Sequence, residues 1–147
     1  LTERAHRAGV PILVGTDTRD TWLLPGFSFH QEMANLDLAG LEPLTVLRAA
    51  TLAAARFMGM EDGAGRIVVG ASADAVLLTA DPLLDIGNTR RIEAVIAGGR
   101  LYDRTALNDL LDEARALAGR AEAAPSSASA SASAGDGAPN DRRHRHY

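Results

Sequence analysis

The 147-residue chain contains no cysteine and no lysine, and its aromatic complement is three Phe, two Tyr and one Trp. Without Cys there can be no disulfide, no thiol nucleophile and no cysteine-ligated zinc, and the absence fits a cytoplasmic setting. Every one of the 15 basic side chains is therefore Arg, set against 19 acidic ones. The resulting net charge of -4 gives no general attraction to nucleic acid or to an anionic membrane. Arg without Lys, together with abundant Ala and Gly, reads as the codon bias of a GC-rich bacterial genome. No apolar run approaches the ~20 residues of a membrane-spanning helix, and no signal peptide opens the chain. A complete (β/α)8 barrel, at ~250 residues, is also excluded. The chain opens at Leu1, followed by Thr2-Glu3-Arg4, which reads as helix interior. The expectation is that it starts within a longer gene product.

What is present is a succession of short elements. Residues 2–8 read as a helix stopped by Gly9. Residues 10–15 form a continuous apolar run, as in a parallel strand covered on both faces, and residues 16–29 read as a loop with a turn at Pro25-Gly26. Ser28 is placed to cap a helix over 30–39, ended by Gly40. Glu42-Pro43 opens the strongest helix, with Leu44, Leu47, Ala50, Thr51, Ala54, Phe57 and Met58 on one apolar face. Beyond a turn at 61–65, short β runs are expected at 66–69, 75–79 and 92–97. Gly98-Gly99 signals a two-residue hairpin into 100–102. A last helix, capped by Thr105 and ended by Gly119, carries Leu107, Leu110, Leu111, Ala114 and Leu117 on one side. From about Ala121 the Ser/Ala tract and "DGAPNDRRHRHY" offer little to bury, and disorder is expected.

Chemistry-bearing residues are few. In "GVPILVGTDT" an apolar run stops at Gly15 and a carboxylate follows at Asp17. Working groups of parallel-sheet enzymes sit just past such strand ends, where a carboxylate can hold a metal or take a proton from water. An ordinary turn Asp has the same local sequence, and both readings stand. His30 and Glu32 stand at i and i+2, on different faces of a helix, which is a weak metal signature. A solvated helix start explains them as well. Arg19 and Asp20 suit substrate contact or exposed loop charge. Asp74 and Asp81 read as turn residues, His144 and His146 belong to the tail, and His6 has no assigned role.

Four stretches, in this order and spacing, resemble the C-terminal part of the amidohydrolase superfamily, the metal-dependent hydrolases with imidazolonepropionase-like and prolidase-like members. They are "AHRAGVPILVGTDT", "FHQEMANLDLAGLEPLTVLRAAT", "GRIVVGASADAVLLTADPLLDI" and "VIAGGRLYDR". Together they span residues 1 to about 118. The resemblance implies an α/β fold, namely the C-terminal fragment of a (β/α)8 TIM-type barrel plus part of a small β-sandwich. Residues 1–60 would supply the last barrel strand and helices, 61–104 the sandwich part, 105–120 a C-terminal helix and 121–147 the tail.

The resemblance also implies a role for Asp17: catalytic acid/base and metal contact at a divalent metal, most often zinc. His30 matches a family histidine near the substrate mouth and is carried over as substrate-binding. The reaction implied is hydrolysis of a C–N bond in a small-molecule amide, cyclic amide or dipeptide. No nucleic-acid or membrane partner is implied, and self-association is left open. The family's remaining ligands are a His-X-His, a bridging Lys or Glu and two further His, all expected upstream of Leu1; here there is no His-X-His outside the tail and no Lys. The chain alone is therefore expected to bind no metal tightly and to be inactive. The competing expectation is a non-catalytic remnant or binding module derived from such an enzyme.

Overall fold

A computed structural model describes residues 1–17 and 24–123. The chain divides into two units, the first Leu1–Leu110 and the second starting at Leu111 and described as far as Ala123. Helices α1 (Thr2–Arg7), α2 (Phe27–Leu38), α3 (Pro43–Ala50) and α4 (Leu52–Phe57) precede strand β1 (Ala75–Leu78). A 3-10 helix (Ile86–Arg90) leads to β2 (Ile92–Ala97) and β3 (Arg100–Tyr102), and α5 (Arg104–Ala123) follows. The first unit is thus mixed α/β, helices first and a small sheet second.

Its core forms where α2 and α3 meet the 3-10 helix. Met33, Leu36, Leu41, Val46 and Ile86 are buried together, with Ile12, Val14, Phe29 and Leu47 packed around them. Val46 and Leu41 are the most completely enclosed. Pro43 begins α3 with its missing N–H at a position that has no intrahelical partner.

The sheet is an antiparallel meander in the order β1-β2-β3. Ala97 pairs with Arg100 across the Gly98-Gly99 turn. Both glycines have positive φ, 56° and 77°, as the primed two-residue turn requires and as side-chain-bearing residues resist. Asp74 ties this turn to the start of β1 by accepting a hydrogen bond from the Gly98 N–H at 2.6 Å. Asp81 holds its own turn by accepting from the Leu83 N–H at 2.8 Å. Both carboxylates therefore play the turn role expected of them.

Several expected elements differ. Residues 10–15 form no ladder among the described residues. A strand exists by pairing, and the backbone bonds made here are those from Val10 N–H to the Ala5 carbonyl and from Val14 N–H to the Ala49 carbonyl, neither to a strand. Residues 66–69 are likewise irregular, and Ile67 and Val69 are exposed.

The long helix expected after Pro43 is two helices. Thr51, at φ -128° and ψ -92°, interrupts it, and its hydroxyl bonds back to the Leu47 carbonyl at 2.7 Å. The apolar face projected through it is accordingly not continuous: Val46, Ala49 and Ala55 are buried, whereas Leu44, Phe57 and Met58 are exposed.

Helix α2 begins at Phe27 with Gly26 as its N-cap. The Ser28 hydroxyl reaches backwards and accepts from the Leu24 N–H. Asp103 replaces Thr105 as the side chain capping α5, accepting from the Ala106 N–H at 2.9 Å, and α5 continues through Gly119 to Ala123. The tail expected to be disordered from about Ala121 overlaps α5 as far as Ala123, and its remainder, 124–147, lies outside the described residues.

Candidate functional site

Asp17 follows the apolar run after Gly15 and Thr16. It is the one non-glycine residue with positive φ among the described residues, at 46°. Asp tolerates this left-handed conformation better than most residues, because its short polar side chain can satisfy local backbone groups. The side chain is exposed. A carboxylate in a disfavoured backbone conformation at the end of an apolar segment is a feature that clusters at functional sites.

The neighbouring Thr16 borders a cleft of about 880 Å³ in the first unit. The cleft runs between α2, the α3–α4 break and the face of β1 and β2. Its walls are mostly apolar, with Met33, Leu47, Ile67, Val76 and Ile96 among them. Its polar side chains are those of Thr16, His30, Thr51, Arg66, Asp74 and Thr89. Asp17 itself is not part of the wall. Concave, apolar and sparsely polar surfaces of this size are typical of small-molecule sites.

His30 sits in the first turn of α2 and is half-buried. Its Nδ1 lies 3.0 Å from the Thr89 hydroxyl oxygen. That hydroxyl lies 2.8 Å from the carbonyl of Ile86, to which it donates, and Thr89 is buried. Phe29 meets the imidazole edge-on, centroid to centroid 6.2 Å at 81°. Beside this pair, the Arg90 guanidinium donates to the Gln31 side-chain oxygen at 3.0 Å. Burial pushes the His30 pKa below 6.5, and the Arg90 charge lowers it further. His30 is thus a neutral imidazole on the cleft wall, a stronger placement than a solvated helix start.

The other sequence candidates do not join this group. Glu32 is half-buried on α2, and it and His30 are not brought together with a third donor. His6 is exposed on α1. Arg19, Asp20, His144 and His146 lie outside the described residues.

Whether a metal ion fits can be judged from the donors. Among the described residues no three His, Asp or Glu side chains come together. A catalytic zinc takes three protein ligands and keeps a fourth position open. The described residues by themselves do not make such a centre.

Sequence reasoning missed Thr89 and Thr51. Thr89 meets His30 across 59 positions, and no local pattern announces a contact that distant. Thr51 carried a signal: a β-branched hydroxyl residue in mid-helix can bond back to the preceding turn and bend it.

The amidohydrolase family model matches residues 2–102. Among solved structures, the chain is similar to a prolidase candidate from Bifidobacterium longum, with 36% identity, 78% of this chain and 30% of that one covered, and a TM-score of 0.64. It is also similar to a prolidase complexed with N-methylphosphonate-L-proline (34% identity, 70% and 25% covered, TM-score 0.57). Molinate hydrolase is a third such structure (30% identity, 69% and 25% covered, TM-score 0.60). No curated protein matches the chain in sequence. The chain spans about a quarter to a third of the length of these solved structures. With more than half of its residues matched by one family model, the chain belongs to the amidohydrolase family.

Proposed function

We propose that this chain is the C-terminal portion of a metal-dependent amidohydrolase that hydrolyses a C–N bond in a small amide, cyclic amide or X-Pro dipeptide, with Asp17 as its acid/base group. The observation that carries the reading is the Asp17 carboxylate itself, exposed at positive φ and next to the residue that opens the cleft. The likeness to a prolidase complexed with N-methylphosphonate-L-proline supports the choice of bond.

In this reading Asp17 takes a proton from the water that attacks the carbonyl carbon. When the C–N bond breaks, Asp17 returns that proton to the leaving nitrogen. A positioned general base of this kind contributes roughly 10²–10⁴-fold. His30 borders the substrate, and the apolar walls hold its hydrocarbon part. In this reading residues 1–60 supply the last strand and helices of a (β/α)8 barrel, with 10–15 pairing as a strand only beside barrel strands from outside this chain, and residues 61–104 are part of its companion β-sandwich. A divalent metal, zinc in this reading, would need further ligands from outside this chain, because the described donors do not converge. No step is assigned to it. The same incomplete donor set favours a second reading, in which the chain by itself is a binding module.

The test is proline release from X-Pro dipeptides by the 147-residue chain and by a longer protein that carries it. Turnover confined to the longer protein is expected. Turnover by the chain alone contradicts the incomplete site, and no turnover by either favours the binding module.

A further inference from the structure

We infer that Thr89 is a positioning residue that fixes His30 in its Nδ1–H tautomer, so that the cleft presents Nε2 as a hydrogen-bond acceptor and selects ligands carrying an N–H or O–H donor. The inference deepens the reading of the cleft as the substrate mouth, and its ligand part rests on that reading.

A threonine hydroxyl has one proton. The Thr89 proton goes to the Ile86 carbonyl, 2.8 Å away, within the same 3-10 helix. The hydroxyl oxygen is left with lone pairs only, and His30 Nδ1 approaches it at 3.0 Å. Two lone pairs would repel, so Nδ1 must carry the hydrogen. A neutral imidazole has one N–H, and which nitrogen bears it is set by the bond the other ring atom's environment demands. Nε2 is then bare. The ring is held neutral by burial and by the Arg90 charge, so Nε2 stays bare near neutral pH.

Nε2 has no partner among the described residues, yet it is not a buried unpaired atom; the Arg104 Nε alone is in that state among them. It is therefore accessible, and His30 is one of the residues that line the cleft. The surrounding surface is mostly apolar, its other side-chain acceptors being the Asp74 carboxylate and the threonine hydroxyls, so a ligand seated against His30 is chosen in part by whether it can donate to Nε2. A secondary amide or amine satisfies it. An N-alkylated analogue leaves it unpaired, and buried polar groups left unpaired are what produce strong discrimination.

The experiment uses the full 147-residue chain labelled with nitrogen-15 in histidine. Long-range proton–nitrogen correlation spectra near neutral pH report the tautomer of each ring, and loss of signals in His30→Gln assigns His30. The Nδ1–H pattern is expected for His30. Thr89→Ser should keep it, and Thr89→Val should shift the ring towards the Nε2–H form. Titration with 2-pyrrolidinone should move the His30 Nε2 resonance, with affinity at least about tenfold above that of N-methyl-2-pyrrolidinone, the loss expected for one unmet hydrogen bond. An Nε2–H pattern in the unsubstituted chain, or an unchanged pattern in folded Thr89→Val, overturns the role of Thr89. Equal affinity for the two probes overturns the donor selection. Neither measurement depends on turnover, so both remain decisive if Asp17 proves not to be an acid/base group.

Discussion

The imidazole of His30 meets the hydroxyl of Thr89 at 3.0 Å across 59 positions of sequence, and this contact ties the helical layer to the turn that feeds the sheet. Because the site is partly buried and faces Arg90, the His30 pKa is lowered from 6.5 in the folded chain. The unfolded chain then binds the extra proton first as pH falls. The neutral-imidazole contribution is fully present above pH 6.5 and is lost as pH drops towards the lower folded value. Urea unfolding at about pH 7.5 and about pH 5 checks this, since His titrates in that range. His30→Asn should lose less stability than the unsubstituted chain over that interval. An identical loss in the two proteins removes His30 as the source.

Gly65, at φ 78°, rests against the helix break. A Cβ there would lie 2.8 Å from the Leu52 Cα and 2.9 Å from the Thr51 carbonyl oxygen. Both are backbone atoms that cannot step aside. Gly65→Ala should cost about 2–4 kcal/mol from overpacking and positive φ together. The urea midpoint measures it, and a loss within error of zero would mean that the 61–65 turn does not pack there.

Leu41 is 1% exposed and belongs to the cluster joining α2, α3 and the 3-10 helix. Leu41→Ala should destabilise by about 2–5 kcal/mol, as core truncations of this type do. Exposed Leu44, three residues on, is the internal control. Leu44→Ala should stay within about 0.5 kcal/mol, the usual range for surface changes.

Local chemistry made part of this structure legible in the sequence. The Gly98-Gly99 hairpin and β2 follow from two adjacent glycines and a short β-branched run, and both occupy their expected positions. Asp74 and Asp81 act as turn residues because their bonds span a turn or join its two sides. Helical periodicity failed after Pro43, because it assumes an unbroken 100° advance and Thr51 resets the phase. The apolar run at 10–15 marked a burial preference, but pairing depends on a neighbouring strand that periodicity cannot supply. The motif singled out Asp17 but not its left-handed backbone conformation. It located His30 but not Thr89, whose contact exists only in the folded chain.

Asp17 carries the account, and its replacement by Asn within the longer, active protein tests it most directly. Asn tolerates the left-handed conformation at φ 46° at least as well as Asp, so the fold should be kept and circular dichroism should be unchanged. The amide cannot accept the proton of the attacking water. The kcat should therefore fall by about 10²-fold or more, as for loss of a general base. A kcat within about twofold of the unsubstituted protein, at equal metal content, would make Asp17 an ordinary turn residue, since Asn serves turns nearly as well, and would contradict the assignment.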